Sequence, residues 1–118
     1  MWEVEYTNEF ELWWQGLTED QQENIVVSVQ LLRNIGPSLP RPYADTVKGS
    51  RYSNMRELRT QSKGLPIRTF YAFDPRRCAI LLIGGDKTGD NRFYEKMIPQ
   101  ADRLYDEHLK ELENEDLI

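Results

Sequence analysis

Three strand-like runs follow one another in the middle of the chain, and this arrangement constrains the fold more than any other feature of the sequence. The turns between them are predicted at Gln61–Gly64 and at Asp74–Arg77, where a proline suits the second turn position. Connections this short join antiparallel neighbours. The third run is apolar throughout and is expected at the centre of the sheet. The predicted strands cover residues 55–60, 66–73 and 78–83.

The first forty residues predict one strand and two helices. Apolar and acidic side chains alternate over residues 2–6, which predicts a half-buried strand. Asn8 is a candidate cap for a short helix, and Thr18 with Gln21 forms the capping-box pattern of a longer one. That longer helix is predicted to end at Gly36, before a proline-rich loop. Its predicted buried face carries Ile25, Val29, Leu32 and Ile35.

A final helix is predicted from about Arg92 to Asn114, after a glycine-rich loop at Gly84–Asp90. These elements predict an α+β fold: a small twisted, mainly antiparallel sheet with two N-terminal helices and a C-terminal helix, packed against one face. The other face is expected to be free, and the arginines of the strands, Arg68 among them, are expected to lie on it. Residues 1–118 are expected to form a single domain, with an acidic tail at about 113–118. The apolar stripe of the last helix carries Met97, Ala101, Leu104, Tyr105, His108 and Leu112.

The charge distribution is uneven although the chain as a whole is acidic, with a net charge of −5. Residues 41–92 carry a net charge of +6, whereas residues 1–40 and 93–118 carry −6 and −5. Such asymmetry is typical of a protein with one polyanion-binding face. Chance segregation of charge between helices and strands explains it equally well, so charge alone leaves both interpretations open.

Several protein classes are disfavoured by composition. The apolar runs are too short for a membrane span, and the N-terminus lacks the pattern of a signal peptide. The single cysteine, Cys78, cannot form an internal disulfide and is expected to be a buried apolar residue. A cytoplasmic protein is therefore expected. No metal site or cofactor is expected either, since the chain has no Cys/His cluster and its glycine-rich loop lacks the Walker A spacing.

The central and C-terminal segments resemble a known family. The pieces MRELR, RTFYAFDPRR, LLIGGDKTG and RFYEK, followed by PQADRLYDEHLKEL, occur here in the order typical of the RelE/ParE superfamily of type II toxins. The similarity covers about residues 45–112 and is greatest to the phage-related, HigB-like branch. It implies a RelE-like fold. It also implies a toxin that cleaves mRNA in the ribosome and a cognate helix-turn-helix antitoxin whose acidic segments cover the basic face.

The resemblance also implies site residues. The family's catalytic basic residue corresponds to Arg68, and the basic positions of the preceding strand fall at Met55, Glu57 and Arg59. Two positions that are lysine in ribosome-dependent relatives are thus Met55 and Glu57 here. The basic residue after the last strand falls nearest Lys87. The aromatic residue of the final helix corresponds to Tyr94, or to Phe93 if the gap is placed differently.

The residues themselves suggest metal-independent cleavage, in which a 2′-hydroxyl attacks the neighbouring phosphate. Such a reaction needs a base, cations on the phosphate and a donor for the leaving oxygen. A two-histidine mechanism is excluded, because His108 is the one histidine and lies on an apolar stripe. The candidate catalytic residues are Arg68 and Arg59 on the phosphate, Lys87 or Glu57 as base, and Tyr94 as donor or base-stacking ring. An ordinary cross-strand ion pair involving Glu57 is the structural alternative.

Further cations are candidates for RNA backbone contacts, which position a ligand without reading its sequence. The candidates are Lys48, Arg51, Arg56, Lys63 and Arg92. Two other functions remain open at this point. The fold also suits a ParE-like inhibitor of DNA gyrase, which needs no nuclease site, and an inactive phage-derived relative.

Overall fold

The computed structural model describes residues 1–118 as one five-stranded sheet with helices on both faces. Its strands are β1 (Val4–Tyr6), β2 (Ala44–Thr46), β3 (Arg56–Ser62), β4 (Leu65–Phe73) and β5 (Ala79–Asp86). Its helices are α1 (Asn8–Gln15), α2 (Glu19–Ile35) and α3 (Phe93–Asn114), with a 3₁₀ turn at Gly36–Ser38. None of the helices combines the length and the apolar character needed to cross a bilayer.

The strands are ordered β1-β5-β4-β3-β2, and every pairing is antiparallel except that of β1 with β5. The predicted α+β class and mainly antiparallel sheet are confirmed. Three details differ from the prediction. β5 is an internal strand, but the middle strand of the sheet is β4. A short strand, β2, directly follows the proline-rich segment. Strand β5 also continues through both glycines to Asp86, where a loop was predicted.

The helices do not share one face of the sheet, so the prediction of a free face is wrong. Helices α1 and α2 cover one face, where Leu58 and Tyr71 are buried. Helix α3 covers the other, where Phe70, Ala72 and Leu82 are buried. The reason is that β4 and β5 are apolar on both sides, and each side must be removed from water.

Most local signals in the helices behave as the sequence indicates. The capping box of Thr18 and Gln21 is formed, and α2 ends at Gly36. Thr7, rather than Asn8, caps α1. On α2, Ile25 and Leu32 are buried and Val29 is half-buried, but Ile35 is exposed. The predicted apolar stripe of α3 is confirmed by the burial of Ala101, Leu104, Tyr105, His108 and Leu112.

Two adjacent glycines in β5 allow helices to approach the sheet from both sides. A Cβ at Gly84 would overlap the ring of Trp13 in α1. A Cβ at Gly85 would lie 2.9 Å from Cε1 of Phe93, the first residue of α3. The missing side chain at Gly85 therefore fixes how closely the start of α3 sits on the sheet.

Candidate functional site

The basic and acidic residues of the candidate site come from neighbouring strands. Arg59 of β3 and Arg68 of β4 are cross-strand partners, and Glu57 lies two residues before Arg59 on the same side. Met55 and Phe70, which have the same parity on these strands, pack in the core beneath α3. All three charged side chains therefore lie on the α3 face, next to the start of that helix.

Glu57 is at the centre of this group and is only 3% exposed. Its Oε2 accepts hydrogen bonds from Nε and Nη2 of Arg59, at 3.2 and 3.1 Å. Its Oε1 accepts from the hydroxyl of Tyr94 at 2.8 Å and lies 3.9 Å from Nε of Arg68. A buried carboxylate is thus hydrogen-bonded to the guanidinium group of Arg59 and to a phenol, with the guanidinium group of Arg68 nearby.

Arg68 was predicted on an open face of the sheet, and this prediction is wrong. The residue is only 7% exposed, because the aromatic residues that begin α3 pack over this part of β4. Its Nη1 donates to the carbonyl of Ile67 at 3.2 Å. Its Nε is buried and has no hydrogen-bond partner. An unsatisfied buried N–H is destabilising, so this donor is an exception that calls for an explanation.

Tyr94 and Lys87 form the rim of the site. Burial, followed by the hydrogen bond to Glu57, raises the pKa of Tyr94, so its hydroxyl stays protonated near neutral pH. The ammonium of Lys87 lies 5.4 Å from the centroid of the Tyr94 ring. Lys87 directly follows β5, and its N–H donates to the carbonyl of Pro66 at the start of β4. The predicted residues Arg68, Arg59, Lys87, Tyr94 and Glu57 are therefore brought together.

The predicted RNA-contacting cations are not brought together. Arg56 and Lys63 contact the α2 side of the molecule, through the carbonyl of Pro37 and the carboxylate of Asp20. Arg51 is committed to the carboxylates of Asp102 and Asp106 on α3. Lys48 and Arg92 remain as exposed cations on segments next to α3.

One site residue was missed because its strand was missed. Asp45 of β2 lies opposite Glu57 of β3 in the strand register. Its Oδ2 lies 3.3 Å from Nη2 of Arg59. Arg41 contacts the same carboxylate. The hydrogen bond from the backbone of Thr46, which outweighs partial burial, and the two arginines lower the pKa of Asp45. The three residues of β2, which follow the proline-rich segment, are too few to show an alternation of apolar and polar side chains.

The structure contains one group of three potential metal ligands, formed by Glu3, Glu5 and Cys78. It does not suit a cation. Glu5 is paired with Arg76 at 2.8 Å, and burial raises the pKa of Cys78 to about 11, which keeps the thiol protonated. Cys78 precedes β5 whereas Lys87 follows it, so this group lies at the other end of that strand. The prediction that Cys78 is buried is confirmed.

Comparison with known proteins identifies the family. Residues 12–106 match the family described as phage derived protein Gp49-like. The chain is 40% identical over 104 residues to HigB2 of Mycobacterium tuberculosis, a match that covers 86% of this chain and 52% of HigB2. It is 45% identical over 94 residues to HigB3 of the same organism, covering 79% of this chain and 81% of HigB3. Both relatives are named as candidate toxins.

The fold and these matches define a class: a small α+β protein of the RelE/ParE type. Within it, the chain belongs to the Gp49-like family and to its HigB-like branch. The resemblance inferred from the sequence is therefore confirmed. The chain spans about half the length of HigB2.

Proposed function

We propose that this chain is the toxin of a type II toxin–antitoxin system and acts as a ribosome-dependent endoribonuclease on mRNA. Two relatives named as candidate toxins support the first part. The convergence of Arg59, Arg68 and Tyr94 around one carboxylate, with Lys87 beside the ring of Tyr94, supports the second. We propose a cytoplasmic location, because the substrate is mRNA under translation.

The proposed chemistry uses the side chains of the site alone. Arg59 and Arg68 hold non-bridging oxygens of the scissile phosphate, where negative charge builds up. Glu57 accepts the proton of the 2′-hydroxyl as its oxygen bonds to phosphorus. The bond from phosphorus to the 5′-oxygen breaks, and Lys87 gives that oxygen a proton. A 2′,3′-cyclic phosphate and a 5′-hydroxyl end result, and Tyr94 supports the neighbouring base or phosphate.

The burial of Arg68 places a condition on this reaction. A guanidinium that is 7% exposed reaches a phosphate only if a neighbouring group moves aside. The same burial favours a second candidate function, a ParE-like inhibitor of DNA gyrase, in which Arg68 is a structural residue. An inactive phage-derived relative would have the same buried arginine.

Mapping of mRNA 5′ ends after brief expression of the protein tests the proposal. New ends within translated codons are expected, and they should be absent for Arg68→Ala and in cells whose translation initiation is blocked beforehand. Intact messages together with DNA damage would favour gyrase inhibition. Intact messages without growth arrest would favour the inactive relative.

The proposed partner is an antitoxin with a helix-turn-helix domain and acidic segments that cover the rim of the site, including Lys87 and Arg92. A short neighbouring gene should encode it. Co-expression of that gene should restore growth, and the restoration should weaken when acidic residues of the antitoxin are neutralised. Rescue that is insensitive to these acidic residues would place the contact elsewhere on the molecule.

A further inference from the structure

We propose that the group around Glu57 is an oxyanion-binding site that the protein occupies with its own carboxylate, and that a phosphate displaces Glu57 when substrate binds. This inference rests on the proposed function for its ligand, a phosphodiester. It concerns binding, however, and can be measured where no cleavage occurs.

The contacts of Glu57 are those of a bound anion. Its two oxygens accept hydrogen bonds from Nε and Nη2 of Arg59 and from the hydroxyl of Tyr94, at donor–acceptor distances of 2.8–3.2 Å. Guanidinium groups bind carboxylate and phosphate with the same forked geometry. The donors around Glu57 therefore form a site that also fits a tetrahedral oxyanion.

A carboxylate does not saturate this site. Nε of Arg68 lies 3.9 Å from the nearer oxygen of Glu57, too far for a hydrogen bond, and has no other partner. Oε2 of Glu57 accepts two hydrogen bonds from Arg59 and Oε1 accepts one from Tyr94, and in this position neither oxygen reaches the Arg68 donor. A phosphate offers additional oxygens at tetrahedral angles, so it can satisfy the free donor of Arg68 while keeping the other contacts.

The site remains assembled when Glu57 leaves, because Arg59 has a second anchor. Asp45 of β2 holds Nη2 of Arg59 at 3.3 Å, and the backbone of Thr46 fixes Asp45 through a 2.8 Å hydrogen bond. The Arg59 side chain is 31% exposed, and Tyr94 is half-buried. These two residues therefore form the side through which a ligand enters.

Displacement also changes what Glu57 can do. While Arg59 and Tyr94 donate to its two oxygens, the carboxylate is directed at these donors and not at a ligand hydroxyl. Once the phosphate takes these donors, the carboxylate is free beside the ligand and can accept the proton of a 2′-hydroxyl. Binding of substrate would thus release the base that the reaction needs.

Titration calorimetry on three variants tests the inference, with inorganic phosphate in one arm and a non-cleavable 2′-O-methyl oligoribonucleotide in the other. Glu57→Gln should bind both probes about tenfold more tightly than the unmodified chain, corresponding to about 1.4 kcal/mol. Asp45→Asn is the matched control, since it removes a carboxylate from the same arginine and leaves the site occupied. It should not tighten binding of either probe, because Glu57 still occupies the site and Arg59 has lost its second anchor. Arg68→Ala should bind neither probe.

Equal affinities for Glu57→Gln and Asp45→Asn would overturn the inference, because the gain would then be a general charge effect. Tighter binding of the oligonucleotide alone would support a site for phosphodiesters, and tighter binding of both would support a general oxyanion site. If Glu57→Gln does not fold, the carboxyl ¹³C resonance of Glu57 in the unmodified chain replaces it. That resonance should shift as phosphate is added, and a constant resonance at saturation would overturn the inference.

The outcomes separate this inference from the proposed function. If Glu57→Gln binds the probes more tightly but expression of the unmodified chain leaves mRNA intact, the nuclease proposal is overturned and the oxyanion site is supported. Cleavage of mRNA by the unmodified chain, with no difference between Glu57→Gln and Asp45→Asn in binding, would support the nuclease and overturn displacement.

Discussion

Two buried carboxylates, Glu57 of β3 and Asp74 of the β4–β5 turn, differ in how completely the groups around them are hydrogen-bonded. Oδ2 of Asp74 accepts hydrogen bonds from Nε and Nη2 of Arg76 and lies 2.9 Å from Nε2 of His108. Its Oδ1 accepts hydrogen bonds from the backbone N–H groups of Arg76 and Cys78. Nη2 of Arg76 also reaches Glu5 at 2.8 Å. Every charged group there has a partner. Around Glu57, by contrast, one guanidinium N–H has none.

The difference indicates which cluster is structural and which is available to a ligand. A fully satisfied buried network stabilises one conformation, and a group added to it has nothing to bind. An unsatisfied buried donor reduces stability and is commonly found where a ligand binds. The Asp74 cluster therefore joins β1, the β4–β5 turn and α3, whereas the Glu57 cluster has an unpaired donor, Nε of Arg68, that can bind a ligand. The predicted packed role of His108 agrees with this.

The largest expected effect is the loss of folding stability when the Asp74 cluster is disrupted. Asp74→Ala leaves His108 and Arg76 without their shared partner, and breaking a buried pair in this way costs about 3–5 kcal/mol. Chemical denaturation should show this loss, while Arg68→Ala should lower stability by less than about 2 kcal/mol. Equal losses in the two variants would remove the contrast between the clusters.

Activity should show the opposite order. Arg68→Ala removes a cation from the phosphate and should reduce mRNA cleavage by about 10²–10³-fold, with the protein still folded. Arg76→Ala, in the Asp74 cluster, should reduce the melting temperature and leave the cleavage rate of the folded fraction unchanged. Single-turnover cleavage with purified ribosomes and a defined mRNA would provide these rates. A fully active Arg68→Ala would make Arg68 a structural residue.

Protonation of Asp74 is expected to reduce folding stability at acidic pH. Its burial raises the pKa, but hydrogen bonds from Arg76 and His108 outweigh this, and the pKa of Asp74 lies below its ordinary value. The folded state thus binds this proton less readily than the unfolded state. The stabilisation is complete above the unfolded pKa of about 4 and is lost as the pH falls through the folded value. Urea midpoints from pH 6 to about pH 2.5 should fall less steeply for Asp74→Asn than for the unmodified chain.

The two glycines of β5 provide a smaller, geometric test. Gly85→Ala displaces Phe93 and with it Tyr94, at a cost of about 1–3 kcal/mol for overpacking. Gly84→Ala introduces the same methyl group on the other face, against Trp13. Both should lower the melting temperature, but only Gly85→Ala should also lower the cleavage rate of the folded protein. Equal rates would show that the position of Tyr94 does not limit the reaction.

The smallest effects on activity and stability are expected from alanine substitution of lysines that lie away from the site. Lys63→Ala should leave growth arrest and the melting temperature unchanged, because Lys63 contacts Asp20 on the α2 side. Lys48→Ala, on the loop beside α3, should weaken binding of the non-cleavable oligonucleotide and reduce its salt dependence. A larger effect at Lys63 than at Lys48 would place the RNA on the other side of the sheet.

The sequence was sufficient for most of the sheet and for part of the site. Turn signals and strand parity located β3, β4 and β5, and they placed Glu57 and Arg59 on one side. The same parity puts Arg56 on the opposite side, a distinction that grouping all the arginines together missed. The burial of Arg68 could not be inferred, because it depends on where α3 packs. Asp45 was missed because β2 is held by its partner strand rather than by its own pattern.

The covering of both sheet faces has a consequence for regulation. Because α3 closes most of its face, the reactive groups are reached only at the corner where that helix begins. If the proposed function holds, a neutralising protein need not shield a broad surface, since a short acidic segment bound beside Tyr94 and Lys87 would be enough to block the site. Resistance to neutralisation should accordingly arise from substitutions within a handful of positions around that corner.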